Sequence, residues 1–240
     1  MLLLRSILFN ILFYLVLAVM LVLGSWLLFC PRIWAIRALQ LWARISIWLL
    51  RVVCNIKMEV RGREHIPQGR TLVAGKHQSF WETFAILPLL NDPCMVLKRE
   101  LTLIPFFGWF CLKFKMIALE RSAGGQALRH LVARGKEEIA RGRDIVIMPE
   151  GTRRDPNAPP DYKPGVAALY VGLGVPCVPF GLNSGLFWPR RKLLRYPGTI
   201  VLEFGPAIPA GLPRKEFQSA MQAEIEKISQ RLLRENENNA

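Results

Sequence analysis

The stretch GKHQSFWETFAI, Gly75 to Ile86, puts a histidine five residues ahead of a carboxylate. A carboxylate that accepts the N–H of an imidazole fixes its tautomer, orients the ring and stabilises the imidazolium formed on taking a proton. Five residues of regular helix turn through about 500°, which would leave His77 and Glu82 about 140° apart and out of reach. They meet only if His77 precedes the helix and the chain turns at Gln78–Ser79. The same four letters, SFWE, also fit a capping box, with Ser79 as N-cap and Glu82 reaching back to its amide. Both readings use one carboxylate and demand one local fold, so the cap does not exclude the chemistry.

Three further blocks carry chemistry-bearing residues. MPEGTRR, Met148 to Arg154, ends an apolar run in a turn, where glycine permits close backbone approach and Arg153 offers a planar fork to a phosphate. KRELTLIPFFGWF, Lys98 to Phe110, leads a basic pair into an apolar stretch, which reads either as a buried loop or short core helix or as an apolar slot with a cation at its mouth. VPCVPFGLNSG, Val175 to Gly185, reads as a core strand ending in a turn. After it, Arg190, Arg191, Lys192 and Arg195 stand beside Phe187 and Trp188, a composition suited to an anionic surface.

The elements that must position these blocks follow from periodicity. Short β-like runs (IKMEV, TLVAG, CMVLK, FKMIAL, DIVIM, VPCVPF, TIVLEF) alternate with helical patterns near 80–90, 124–141, 165–173 and 214–234. The alternation predicts an α/β fold: a mixed, partly parallel sheet flanked by helices. In such sheets ligands gather beyond the carboxyl ends of strands, where His77 follows TLVAG and Glu150 follows DIVIM. The proline-rich Arg153–Gly165 stretch is expected to be a loop, and residues 235–240 a polar tail.

Upstream, 24 residues from Ile7 to Cys30 carry no charge, enough to reach across a hydrocarbon core. No small-x-small cleavage site follows, so this reads as an uncleaved anchor. Pro31 separates it from IWAIRALQLWARISIWLLRVVC, whose Arg37, Arg44 and Arg51 recur every seven residues along one stripe. Trp34, Trp42 and Trp48 are of the type enriched at bilayer interfaces, so the segment reads as a helix lying in the interface, or else as an ordinary amphipathic helix docked on the domain. The organisation expected is therefore anchoring helices over 1–55, a catalytic-sized domain over 56–234, and the tail.

Composition narrows the partners. The chain is 52% hydrophobic with a net charge of +14, and its mean hydropathy is positive. Residues 1–63 hold eight Lys/Arg against Glu59 alone, a balance of +7. Basic charge beside apolar sequence suits anionic lipid, and no nucleic-acid-binding motif is present. If the first segment spans, the same asymmetry places the domain on the cytoplasmic face. Five scattered cysteines and three histidines make neither a disulfide framework nor a metal centre, so no metal is expected.

In this order HQSFWE, KRELTLIPFFG, PEGTR and VPCVPFGLNSG resemble the four motifs of the glycerolipid acyltransferase family typified by 1-acyl-sn-glycerol-3-phosphate acyltransferases, over residues 56–210. The resemblance implies that His77 is the general base and Glu82 its orienting partner. Glu150, Gly151, Thr152 and Arg153, helped by Lys98, would form the acceptor's phosphate site. It implies an O-acyltransferase that moves an acyl group from acyl-CoA or acyl carrier protein to lysophosphatidic acid, with no cofactor beyond that co-substrate. The carboxylate is Glu82 where the family usually has Asp. Lys76, Met148 and Arg154 stand where Asn, Phe and Ser are common. Two alternatives remain open: another lysolipid acceptor such as a lyso-aminolipid, and a non-catalytic protein that binds anionic membranes.

Overall fold

A computed structural model describes residues 1–120 and 124–238. The N-terminal segment, residues 2–54, is a helical hairpin. Helix α1, Leu2–Leu23, passes through a 3-10 turn at Ser25–Leu28 into α2, Arg32–Cys54. Pro31, with no amide to leave unpaired, caps α2, and Asn55 ends it in the left-handed conformation (φ 53°) that asparagine tolerates.

The domain is built on a seven-stranded sheet, ordered β1-β7-β6-β2-β5-β3-β4. Its strands are β1 Ile56–Arg61, β2 Leu72–Gly75, β3 Pro93–Lys98, β4 Ile117–Leu119, β5 Asp144–Ile147, β6 Cys177–Leu182 and β7 Gly198–Phe204. All neighbours are parallel except β6 and β7. The central β6, β2 and β5 are buried at every residue, as strands covered on both faces must be. Alternation along β2 divides the core: Val73 packs with Trp42, Trp81 and Phe84 on one face. Leu72 and Ala74 pack with Leu131, Leu169 and Phe217 on the other. These last three come from α5 Gly124–Ala140, α6 Gly165–Leu173 and α8 Arg214–Asn238.

Each expected strand is present with its ends shifted by at most three residues. The helix expected at 80–90 is split into α3, Trp81–Ala85, and a 3-10 turn at Leu87–Leu89, because Pro88 donates no amide to the helical ladder. Two short helices are additional: α4 Phe107–Lys113, inside the block read as a slot lining, and α7 Ser184–Phe187.

Three expectations are corrected. Trp42 does not lie at a bilayer interface. It sits about 120° round the helix from the exposed Trp48 and packs against Phe13 and Phe84. Arg195 is not a surface cation: it is buried, its guanidinium 4.3 Å from the Trp188 ring centre and donating to three loop carbonyls and to Asn10 Oδ1 of α1. The tail does not begin at 235. Helix α8 continues to Asn238, and Glu235 is held by Arg61 Nη1 at 2.6 Å; residues 239–240 lie outside the described ones.

The hairpin does not stand apart from the domain. Phe9 and Phe13 of α1 share one core cluster with Phe84, Trp188 and the sheet, and the Arg195 amide donates to Ser6 Oγ at 2.9 Å. At the opposite end Arg32 of α2 grips Asp92 with both terminal nitrogens, at 2.7 and 2.5 Å.

Candidate active site

Parallel pairing makes the sheet deliver the four blocks to one edge. His77 follows β2, Glu150–Arg153 follow β5, Ser184 follows β6, and Lys98 closes β3. These four strands are consecutive in the sheet and run the same way. The loops are then stitched together. The Arg154 amide donates to the His77 carbonyl at 2.8 Å, and the Gly185 amide to Gln78 Oε1 at 3.0 Å.

His77 lies before α3, and its Nδ1 is 2.8 Å from Glu82 Oε1. That same oxygen accepts the Gln78 and Ser79 amides, each at 2.7 Å. Ser79 Oγ accepts the Trp81 amide at 2.8 Å and donates to Glu82 Oε2 at 3.0 Å. The helix cap and the imidazole contact are thus one structure. Burial alone would push the Glu82 carboxyl up. The His77 hydrogen bond and charge and the Ser79 amide outweigh it and hold the group below its ordinary value. With Nδ1 engaged by Glu82, Nε2 is the ring nitrogen left for a further contact.

Ser184 lies in VPCVPFGLNSG, the fourth block, where the sequence marks a strand end but no site residue. Its hydroxyl donates to Glu82 Oε2 at 2.8 Å, so five donors converge on this carboxylate. Lys76, noted only as a departure from the family pattern, is also drawn in. It is buried, with Nζ 2.5 Å from Glu226 of α8 and 3.4 Å from Glu150, and Tyr162 donates to the same Glu226 oxygen at 2.7 Å. Neither contact had a local signal, since each partner lies far along the chain.

After β5 the chain turns at Gly151 (φ 66°), a left-handed position that favours glycine. Glu150 is buried beside Lys76 and Arg154, the latter at 3.7 Å. Both its carboxylate oxygens are buried without a hydrogen-bond partner among the described residues, and the two cations are its nearest charges. Arg154 is committed to Glu150 and Asp161. Arg153 differs: among the described residues its guanidinium has no acidic partner, while its carbonyl is fixed by Arg190 at 2.7 Å. Lys98 is half exposed and pairs with Glu100 at 2.6 Å.

His77, Lys98, Thr152 and Arg153 line one end of a cavity of about 1030 Å³. Most of the remaining wall is apolar, from Leu17 and Met20 of α1, Leu39 and Trp42 of α2, and Phe107 and Phe110 of α4. Cys111 also lines it, but burial pushes its thiol up to about 12, which keeps it protonated at neutral pH. A partly exposed imidazole on a buried carboxylate, a guanidinium without an acidic partner among the described residues and an apolar chamber together suit proton abstraction from an amphiphile's hydroxyl.

Comparison with known proteins agrees. Residues 57–183 match the family model described as Acyltransferase. The chain is 41% identical over 207 residues to a 1-acyl-sn-glycerol-3-phosphate acyltransferase of Pseudomonas aeruginosa, covering 84% of this chain and 80% of that one. It is 26% identical over 136 residues to a lyso-ornithine lipid O-acyltransferase of the same organism, covering 57% and 52%. In fold it is similar to the crystal structure of the 1-acyl-sn-glycerophosphate acyltransferase PlsC from Thermotoga maritima, with a TM-score of 0.82 at 21% identity over 97% of this chain and 98% of that one. The chain therefore belongs to the acyltransferase family, the one its four blocks resemble, and is an acyl-transferring enzyme.

Proposed function

We propose that the protein is a membrane-bound O-acyltransferase that uses an acyl thioester, acyl-CoA or acyl carrier protein, to acylate the 2-hydroxyl of 1-acyl-glycerol-3-phosphate, giving phosphatidic acid. One observation carries the reading. A single cavity joins His77 and the unpaired Arg153 to an apolar chamber large enough for a fatty chain. His77 Nε2 takes the hydroxyl proton while the hydroxyl oxygen attacks the thioester carbonyl. The new C–O bond forms, the C–S bond breaks, and the proton passes from the imidazolium to the leaving sulfur. Glu82, held ionised by its donors, stabilises the imidazolium between the two steps. Arg153 receives the acceptor's phosphate, with Thr152, the Gly151 turn and Lys98 around it.

The membrane reading rests on the hairpin. Both helices are long and apolar enough to cross a bilayer, and the outer face of α1 exposes Leu4, Ile11 and Leu15. The fastening of α1 along the domain at Ser6, Phe9 and Asn10 supports a helix lying in one leaflet, and the basic excess of residues 1–63 supports a domain on the cytoplasmic side. Exposed Arg37, Arg44 and Arg51 on α2 would meet lipid phosphates.

The similarity to a lyso-ornithine lipid enzyme supports a second reading, with a phosphate-free lysolipid as acceptor. Turnover of detergent-purified protein with each acceptor separates the two. Under the first reading His77→Ala abolishes transfer, and Arg153→Ala raises KM for lysophosphatidic acid at least about tenfold without a matching effect on phosphate-free acceptors. An equal effect on both, or none, favours the second.

A further inference from the structure

The segment from Ser184 to Tyr196 follows β6, and the chemistry described so far uses only its first residue. It starts in the His77 site, where Ser184 donates to Glu82 and the Gly185 amide to Gln78 Oε1. Gly185 is wedged there: a Cβ would stand 2.5 Å from Pro156 Cγ, in the loop after β5, and 3.1 Å from Gln78 Cβ. Helix α7 then leads through Trp188 and Pro189 to Arg190, whose Nη1 donates to the Arg153 carbonyl at 2.7 Å. One short segment therefore touches the imidazole's partner at one end and the Arg153 loop at the other.

The rest of the segment is built to hold still. Buried Arg195 stacks on Trp188 and gathers the carbonyls of Lys192, Leu193 and Leu194, at 2.7, 3.0 and 3.0 Å. The Tyr196 amide closes the neck onto the Phe187 carbonyl at 2.9 Å. Arg190 is partly buried and has no acidic partner among the described residues, so the Arg153 carbonyl is what it holds.

Together these contacts pin one peptide plane. The carbonyl of the Arg153–Arg154 peptide is held by Arg190, and its N–H is held by the His77 carbonyl at 2.8 Å. Turning that plane would move the Arg153 side chain and change its span to the His77 ring. An acyl chain can slide in an apolar chamber. A phosphate and a hydroxyl on neighbouring glycerol carbons must instead meet guanidinium and imidazole at the same moment, and a misplacement of about 1 Å costs on the order of a hundredfold in rate.

We propose that Arg190 is a positioning residue that fixes the span between Arg153 and His77. It thereby selects the lysophospholipid whose free hydroxyl stands on the carbon next to the phosphate-bearing one. This rests on the reading of Arg153 as the group that receives the acceptor's phosphate.

The test uses detergent-purified full-length protein with 1-O-alkyl-glycerol-3-phosphate and its 2-O-alkyl isomer, whose ether-linked chains cannot migrate. Arg190→Met should lower the ratio of kcat/KM for the first over the second at least about fivefold, chiefly through kcat for the first. In an Arg153→Ala background the same change should alter kcat/KM by less than about twofold, because Arg190 acts through Arg153. An unchanged ratio, or the full loss repeated in that background, overturns the proposal. Amide hydrogen exchange over residues 150–155 should quicken in Arg190→Met and match wild type elsewhere. No change there overturns it, and so does faster exchange throughout the domain. Exchange is read without substrates, so a wild-type protein inactive on both isomers would sink the acceptor reading and leave exchange to decide the Arg190 contact.

Discussion

Ser184 and Glu82 lie 102 residues apart in sequence, yet the Ser184 hydroxyl donates to Glu82 Oε2 at 2.8 Å. Ser184 stands at the end of β6 and the His77 block at the end of the adjacent β2, so sheet pairing itself aligns the imidazole's partner. A hydrogen bond to a charged group contributes about 1.5–3 kcal/mol. Ser184→Ala, which leaves Oε2 with Ser79 alone, is therefore expected to lower kcat about tenfold with KM for both substrates within about twofold. Steady-state kinetics in detergent checks this, and an unchanged kcat would deny Ser184 its positioning role.

Lys76 sits between the acid–base pair and the C-terminal helix. Lys76→Met strands the buried Glu150 and the nearly buried Glu226, and removing one partner of such a pair costs about 3–5 kcal/mol. Thermal unfolding should show a large drop, and Lys76→Met/Glu226→Gln should recover part of it. Since Glu150 belongs to the loop that carries Arg153, KM for a phosphate-bearing acceptor should rise more than kcat falls. A single variant as stable as wild type would contradict the strut.

Asp144 opens β5 with Oδ1 on the Thr71 amide at 3.2 Å and Oδ2 buried without a partner. Burial pushes its carboxyl up to about 6, against the pull of the Thr71 and Gly69 amides. The unfolded chain gives up this proton near pH 3.9, so the folded protein binds it more tightly. Stability therefore falls as pH rises from about 4 to about 6, and stays lower above. Asp144→Asn should raise Tm by about 2–4 °C at about pH 8 and by almost nothing at about pH 4. Scanning calorimetry at the two pH values checks the sign.

The strands were legible because each is a short apolar run bounded by turn residues, and the His77–Glu82 contact because the turn before α3 allows only a few geometries. What escaped the sequence depends on tertiary placement. Trp42 and Trp48 are the same residue type on one helix, and only the domain's position decides which is covered. Arg195 reads as one of a basic cluster, yet it alone is stacked on Trp188 and turned towards α1. Lys76 looks like a surface cation until α8 brings Glu226 to it. Periodicity reports which face is apolar, not what will cover it.

The hairpin shares its interior with the catalytic domain: Phe13 meets Phe84 and Trp188 ring to ring, and Leu17 and Met20 wall the chamber next to His77. No cut separates a water-soluble catalyst from a detachable tether, because stripping away the first two helices would tear open the reaction vessel itself. In the proposed membrane-bound state, the bilayer would hold this enzyme by part of its own core.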